Sequence, residues 1–208
     1  MKILIGDDHS VVRRGLRMII LEEYPNAFIK EATDGTEILK MLNEEPWDII
    51  ISDISMPGLG GMEIIKLIKE QAPKVPILML SVHAAEHYAV RTLKAGASGY
   101  LSKESATEEL VKAIKQIISG RRYITPDIAD LLVDDQGGEA NERPHKQLSN
   151  REFEVMKMIA VGKKVSEIAV KLSLSINTIS TYRSRILGKM NFASNADLTK
   201  YALSNDLV

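Results

Sequence analysis

Five short runs rich in apolar and β-branched residues recur along the first 120 residues, near 2–6, 27–31, 48–52, 75–80 and 98–102. Longer segments separate them, near 10–22, 35–44, 61–70, 84–94 and 105–119, in which apolar residues return at helical spacing. Strands that alternate with helices need crossover connections, so they assemble a parallel sheet with helices on both faces. The third run carries Ile49, Ile50 and Ile51 in succession. Such continuity suits a central strand buried on both sides. Gly35, Gly60, Gly61, Gly96 and Gly120 punctuate the element ends. The expected fold class is α/β, a doubly wound five-stranded parallel sheet over residues 1–122.

The rest of the chain reads differently. Residues 123–147 contain Pro126, Gly137, Gly138 and Pro144 among acidic and polar residues, the composition of a linker, with room for a short helix at 126–133. Residues 148–208 carry helical signals only. Ser149 and Glu152 form a capping-box pair, followed by an apolar face through Phe153, Val155, Met156, Ile159 and Ala160 to Gly162. A short helix at 166–172, a polar break at 173–175, a longer helix at 176–190 and a last helix at 195–204 complete an all-α, four-helix second domain.

Charge divides along the same line. Residues 1–135 hold 16 Lys/Arg and 21 Asp/Glu, a net −5, whereas residues 136–208 hold 11 and 7, a net +4. Only the back half is suited to a polyanion. The chain has no cysteine, which excludes a disulfide framework and a thiolate zinc site. No apolar run approaches membrane-spanning length, and Asp7 and Asp8 interrupt the first apolar stretch at once. A cytoplasmic location is expected.

The candidate chemistry lies at the strand ends. Asp7 and Asp8 follow the first run, Asp53 the third and Ser81 the fourth, and Lys103 ends the fifth. In an open parallel sheet, ligands bind in the crevice beyond the carboxyl ends of the strands. An isolated acidic pair would be a solvated turn; polar groups at four strand ends of one sheet are a constellation. Three carboxylates gathered there repel one another, and a divalent cation with an ammonium compensates them. Hard oxygen ligands suit Mg²⁺. Asp53 is the candidate nucleophile for a phosphoryl group, Lys103 a point charge for a phosphate oxygen, and the Ser81 hydroxyl a donor to another.

These residues resemble a known family. Gly6, Asp7, Asp8 and His9; residues 51–58 around Asp53; Gly61 and Met62; Leu80 and Ser81; and residues 95–103 ending in Lys103 are similar, in order and spacing, to the receiver domain of two-component response regulators. The resemblance implies a flavodoxin-like fold and a phosphoacceptor at Asp53. It implies Mg²⁺ bound by Asp7, Asp8, Asp53 and the backbone carbonyl of Ser55. It makes Ser81 and Tyr100 a switch pair in which Ser81 moves toward the phosphate and Tyr100 rotates into the space left. Ser55 and His83 flank the crevice where the family tunes phosphoryl lifetime. Glu104 stands where many receivers carry a proline after a cis bond. A cis bond before glutamate costs about 3 kcal/mol, which leaves that loop's geometry open.

The helical tail has the spacing of a helix-turn-helix, whose second helix enters the DNA major groove. At ~100° per residue, the longer helix gathers Ile179, Ile186 and Met190 on one side, with Tyr182 and Leu187 at its margins. Asn177, Ser180, Thr181, Ser184, Arg185 and Gly188 occupy the other. Arg183 and Lys189 near the boundary are placed to reach phosphates. Ser175, as N-cap, and Thr178 would set the helix N-terminus against the DNA backbone. Residues 148–208 resemble the LuxR-type DNA-binding domain through Leu148, Ser149, Arg151, Glu152, Glu154, Val155, Gly162, Glu167, Ile168, Ala169, Leu172, Thr178, Ile179, Lys189 and Met190. Together with a receiver, this resembles the NarL/FixJ class. Ser180 and Tyr182 stand where many members carry lysine and histidine, and the helix is closer to the branch containing the virulence regulator BvgA.

The reading is a transcription factor that accepts a phosphoryl group on Asp53 from a histidine kinase and thereby controls dimerisation and binding to double-stranded DNA, with RNA polymerase as a further partner. Two alternatives remain. One is an aspartyl-phosphate phosphotransferase or phosphatase, against which stands Ser55 where haloacid-dehalogenase-type phosphatases place a second acid. The other is a DNA-binding module indifferent to phosphorylation, against which stands the full set of Asp7, Asp8, Asp53, Ser81 and Lys103.

Overall fold

A computed structural model describes residues 1–208 apart from 57, 58, 60, 83, 84, 137–143 and 173, with backbone only at 85–87, 134–136 and 150. The chain forms two compact units, Met1–Leu132 and Val133–Val208.

The first unit alternates strand and helix throughout: β1 (Lys2–Gly6), α1 (Ser10–Glu23), β2 (Phe28–Ala32), α2 (Gly35–Leu42), β3 (Ile49–Asp53), α3 (Gly61–Gln71), β4 (Ile77–Ser81), α4 (Ala85–Lys94), β5 (Gly99–Ser102) and α5 (Ala106–Ile118). All strand pairings are parallel, in the order β2-β1-β3-β4-β5. This is the doubly wound α/β sheet that the alternation requires. The strand order reverses between β1 and β3, so a crevice opens beyond their carboxyl ends. β3 lies between β1 and β4, and Ile49, Ile50 and Ile51 are fully buried. Burying each such side chain contributes about 2–3 kcal/mol.

Two boundaries matter for the site. β3 extends to Asp53 and β4 to Ser81, so both polar side chains end a strand instead of starting a loop. Strand pairing thus fixes their backbones: Asp53 is in register with Leu80, and Ser81 with Ser102.

Tyr123, expected at the head of the linker, is 3% exposed and packs in the sheet core. It forms a parallel bridge with Gly99, and its N–H donates to the Ser98 carbonyl at 2.9 Å. A helix, α6 (Pro126–Gln136), follows with proline at its first position, where the missing N–H costs nothing.

In the second unit a 3-10 turn (Pro144–Gln147) leads to α7 (Asn150–Ala160), α8 (Val165–Leu172), α9 (Ile176–Met190) and α10 (Asn195–Ser204). The capping box at α7 is formed: Ser149 N–H donates to Glu152 Oε2 at 2.7 Å, and Glu152 N–H to Ser149 Oγ at 3.4 Å. Gly162, at φ +85, turns the chain after α7 in a conformation that favours glycine. Among the described residues, no helix is long and apolar enough to cross a membrane.

Candidate functional site

The crevice is built on three buried polar side chains, Asp7 (0% exposed), Asp53 (1%) and Ser81 (0%), with Asp8 exposed at its mouth. Asp7 follows β1, and its N–H donates to the Ala32 carbonyl of β2 at 3.1 Å. Lys103 reaches in from the end of β5, where its N–H donates to the Ser81 carbonyl at 2.8 Å. Its Nζ lies 2.7 Å from Asp7 Oδ2 and 2.9 Å from Asp53 Oδ2. These are ion-pair distances without hydrogen-bond alignment. Asp7 Oδ2 and both oxygens of Asp53 therefore keep no well-aligned donor.

The electrostatics follow from this packing. Burial pushes the Asp53 carboxyl up; Lys103 pulls it back and the Asp7 charge adds to the rise. Burial alone would lower the Lys103 ammonium, but the close approach and charge of Asp7 and Asp53 outweigh it, and the net shift is upward. Two buried carboxylates against one ammonium leave a net negative pocket. A hard divalent cation relieves both the charge and the unsatisfied oxygens, so the acidic cluster of Asp7, Asp8 and Asp53 is compatible with Mg²⁺.

The loop after Asp53 is held by close backbone contact. The Ile54 N–H donates to Leu80 O at 2.9 Å, and Gly61 N–H to Ile54 O at 3.2 Å. A Cβ at Gly61 would stand 2.5 Å from both the Cα and the carbonyl oxygen of Ile54, so only glycine lets α3 start there. Ser55 is half-buried beside Asp53, and its backbone lowers the Asp53 carboxyl. His83, Pro57, Gly58 and Gly60 lie outside the described residues.

Tyr100, expected to rotate into the space that Ser81 leaves, is 1% exposed in this structure. Burial pushes its phenol up to about 12, with a Ser81 hydrogen bond pulling the other way and the Asp53 charge adding to the rise. The ring has a buried polar partner, so the inward position satisfies its hydroxyl. After Lys103 the chain closes without a cis bond, none occurring among the described residues; Glu104 N–H donates to Ser102 Oγ at 3.1 Å.

Two neighbours of the crevice carried no role in the sequence reading. Arg13 on α1 donates from Nη1 to the Asp7 carbonyl at 2.6 Å and from Nε to Glu31 Oε2 at 3.1 Å, clamping the turn that carries both acids. His9 Nδ1 lies 2.9 Å from Asp8 Oδ1 and 3.2 Å from Asp7 Oδ1. The imidazole was visible in the Asp7, Asp8, His9 run; nothing local marks Arg13.

In the second unit, α9 divides as its periodicity requires. Ile179, Ile186 and Met190 are buried, while Asn177, Ser180, Thr181, Ser184, Arg185 and Gly188 are exposed and Thr178 and Arg183 intermediate. Ser175 caps the helix, its Oγ accepting from Thr178 N–H at 3.0 Å and lying 2.8 Å from Thr178 Oγ1. Thr181 Oγ1 donates to Asn177 O at 2.9 Å, and Arg183 Nε to Asn195 Oδ1 at 2.6 Å. Lys189, exposed near the end of α9, donates from Nζ to Oε2 of the buried Glu152 at 2.6 Å.

Comparison with known proteins agrees with both halves. Residues 3–115 match the family described as response regulator receiver domain, and residues 146–202 the bacterial regulatory proteins of the luxR family. The chain is 38% identical over 206 residues to response regulator UvrY of Escherichia coli (strain K12), covering 99% of this chain and 94% of that one. It is 34% identical over 208 residues to response regulator GacA of Pseudomonas aeruginosa, covering 100% and 97%. Among solved structures it is similar to RcsB from Salmonella enterica serovar Typhimurium bound to promoter rprA in the presence of phosphomimetic BeF₃⁻. That likeness has 30% identity, a TM-score of 0.67 and coverage of 98% and 99%. A further likeness, at 30% identity and a TM-score of 0.59, is to two RcsB dimers bound to two parallel DNAs. With a receiver sheet whose acidic crevice suits a cation and a LuxR-type helix-turn-helix behind it, the chain belongs to the two-component response regulators of the NarL/FixJ class, phosphorylation-dependent regulators of transcription.

Proposed function

We propose that Asp53 is the phosphoacceptor and that its phosphorylation controls DNA binding by α9. The observation that carries this is the buried Asp53 carboxylate, which has no well-aligned hydrogen-bond donor yet has an ammonium 2.9 Å away. In the transfer, an Asp53 oxygen forms the bond to phosphorus while the bond from phosphorus to the kinase histidine nitrogen breaks. The nitrogen leaves with the electron pair. Asp7, Asp8, Asp53 and the Ser55 carbonyl would hold Mg²⁺, which would neutralise charge on the phosphoryl oxygens. Lys103 binds one of those oxygens and the Ser81 hydroxyl another, so Ser81 exchanges its partner Tyr100 for phosphate. The chain acts as a phosphoacceptor with at most self-phosphorylation and autodephosphorylation, without rapid multiple turnover. The kinase, double-stranded DNA and a second copy of the chain are its partners, with RNA polymerase a further one, and its site of action is the cytoplasm.

On the DNA side, Ser180, Thr181, Ser184 and Arg185 form the exposed face offered to base edges and backbone. Asn177, Ser175 and Thr178 lie toward the helix N-terminus, with Arg183 at the margin. The RcsB neighbours bound to promoter DNA support this reading. Lys189 is assigned to the fold through Glu152 and not to phosphate contact.

Incubating the chain with Mg²⁺ and a small phosphodonor, followed by intact-mass measurement, tests the acceptor. One added phosphoryl group, absent in Asp53→Ala, is the expected result. An equal mass shift in Asp53→Ala, or rapid multiple turnover of the donor with no phosphoryl group retained, contradicts it.

A further inference from the structure

The acidic pocket has a donor of a different kind at its mouth. His9 is the N-cap of α1, with φ −91 and ψ 109, and its N–H donates to Asp7 Oδ1 at 2.8 Å. That bond holds the residue over the carboxylates. Its Nδ1 lies 2.9 Å from Asp8 Oδ1 and 3.2 Å from Asp7 Oδ1. Asp7, Asp8, His9 and Asp53 each place one ligand atom within 4.8 Å of the others.

These separations match coordination geometry. Adjacent ligands on an octahedral ion with bonds of about 2.1 Å stand about 3.0 Å apart, which fits both His9 distances. A hydrogen-bonding His9 would also fit them, so the pocket's interior is the second observation. Asp53 Oδ1 is buried, has no well-aligned donor and is outside the Lys103 ion pair. A cation among these four side chains satisfies it. The imidazole coordinates through Nδ1 in its neutral form, and the 65% exposure of the side chain leaves Nε2–H to water.

We propose that His9 Nδ1 is a ligand of the cation held by Asp7, Asp8 and Asp53, and that it gives this site its preference for late first-row divalent ions over Mg²⁺. The proposal rests on the crevice being a metal site. Carboxylate and water ligands suit Mg²⁺, whereas imidazole suits ions such as Ni²⁺ and Zn²⁺. Removing His9 takes away the one nitrogen donor and leaves the oxygen set.

The test is calorimetric titration of the full chain with Ni²⁺ at about pH 8, repeated against rising Mg²⁺. Wild type is compared with His9→Ala, His9→Asn and Asp8→Asn, each first checked for an unchanged unfolding temperature. The expected result is one Ni²⁺ site competed by Mg²⁺. Its Ni²⁺ dissociation constant rises about tenfold or more in both His9 variants, while that for Mg²⁺ stays within about twofold; Asp8→Asn weakens both ions. Equal weakening of both ions by His9→Ala makes His9 an orienting group for the carboxylates and overturns the proposal. So does no change in either, or Ni²⁺ binding that Mg²⁺ does not compete. If wild type shows no Mg²⁺ binding, the metal-site reading itself fails.

Discussion

Lys103 Nζ stands 2.9 Å from Asp53 Oδ2, and each group sets the charge state of the other. Burial pushes the Asp53 carboxyl up, Lys103 restrains it and Asp7 adds to the rise. A carboxyl raised in the fold favours folding when protonated. That contribution is complete below the ordinary carboxylate range and is lost as pH rises through the raised value. At neutral pH the ionised Asp53 therefore costs stability that its function requires. Asp53→Asn should be more stable at neutral pH, with the gain shrinking as pH falls toward the carboxylate range. Thermal unfolding of both proteins across pH checks the sign.

Removing the ammonium has the opposite effect. Lys103→Met leaves Asp7 and Asp53 buried together without their cation, which should destabilise the receiver by about 3 kcal/mol. In an Asp53→Asn background the same substitution should cost clearly less, because one charge is gone. Denaturant unfolding of the four proteins measures the coupling. Mg²⁺ at millimolar concentration should restore part of the loss in Lys103→Met and none in a protein that also lacks Asp7 and Asp8.

The Lys189 ammonium makes a separable prediction. Burial alone would raise the Glu152 carboxyl; the Lys189 hydrogen bond and the Ser149 cap outweigh it and hold it low. A lowered carboxyl stabilises the fold above its ordinary pKa, and that stability is lost as pH falls through the folded value. Lys189→Met should destabilise the DNA-binding unit by about 1 kcal/mol, the exposed ammonium being screened by solvent, and leave the salt dependence of DNA affinity unchanged. Arg185→Ala should barely alter stability and reduce the salt slope by about one. Affinity measured over a range of salt concentrations distinguishes the two.

Base reading belongs to the small polar face. Ser180, Thr181 and Ser184 are exposed together on α9, at the spacing of one helix side. Ser184→Ala or Thr181→Ala should change which sequences are recovered from a randomised duplex pool, with the salt slope retained. Recovery of the same sequences by both variants would move the reading surface elsewhere.

What the chain sequence made legible follows physical range. Strand, helix and capping signals act over a few residues, so the parallel sheet, the Ser149 cap and the two faces of α9 could be read directly. Polar residues just past apolar runs marked Asp7, Asp53, Ser81 and Lys103, because sheet topology brings strand ends together. Pairings between distant residues carry no local pattern. Nothing near Lys189 points to Glu152, 37 residues earlier, and nothing near Arg13 points to the Asp7 carbonyl. Tyr123 was hidden for a related reason: Gly120 and the prolines beyond it punctuate the chain, yet a backbone bond to Ser98 carries Tyr123 back to the sheet.

The most direct measurement is the DNA affinity of the full chain, on duplexes recovered from a random pool, before and after treatment with Mg²⁺ and a small phosphodonor, beside Asp53→Ala. Phosphorylation of Asp53 should shift wild type toward dimers and tighten its binding to paired half-sites, while treated Asp53→Ala stays at the untreated level. Equal affinity of treated wild type and treated Asp53→Ala would contradict control of α9 from the crevice.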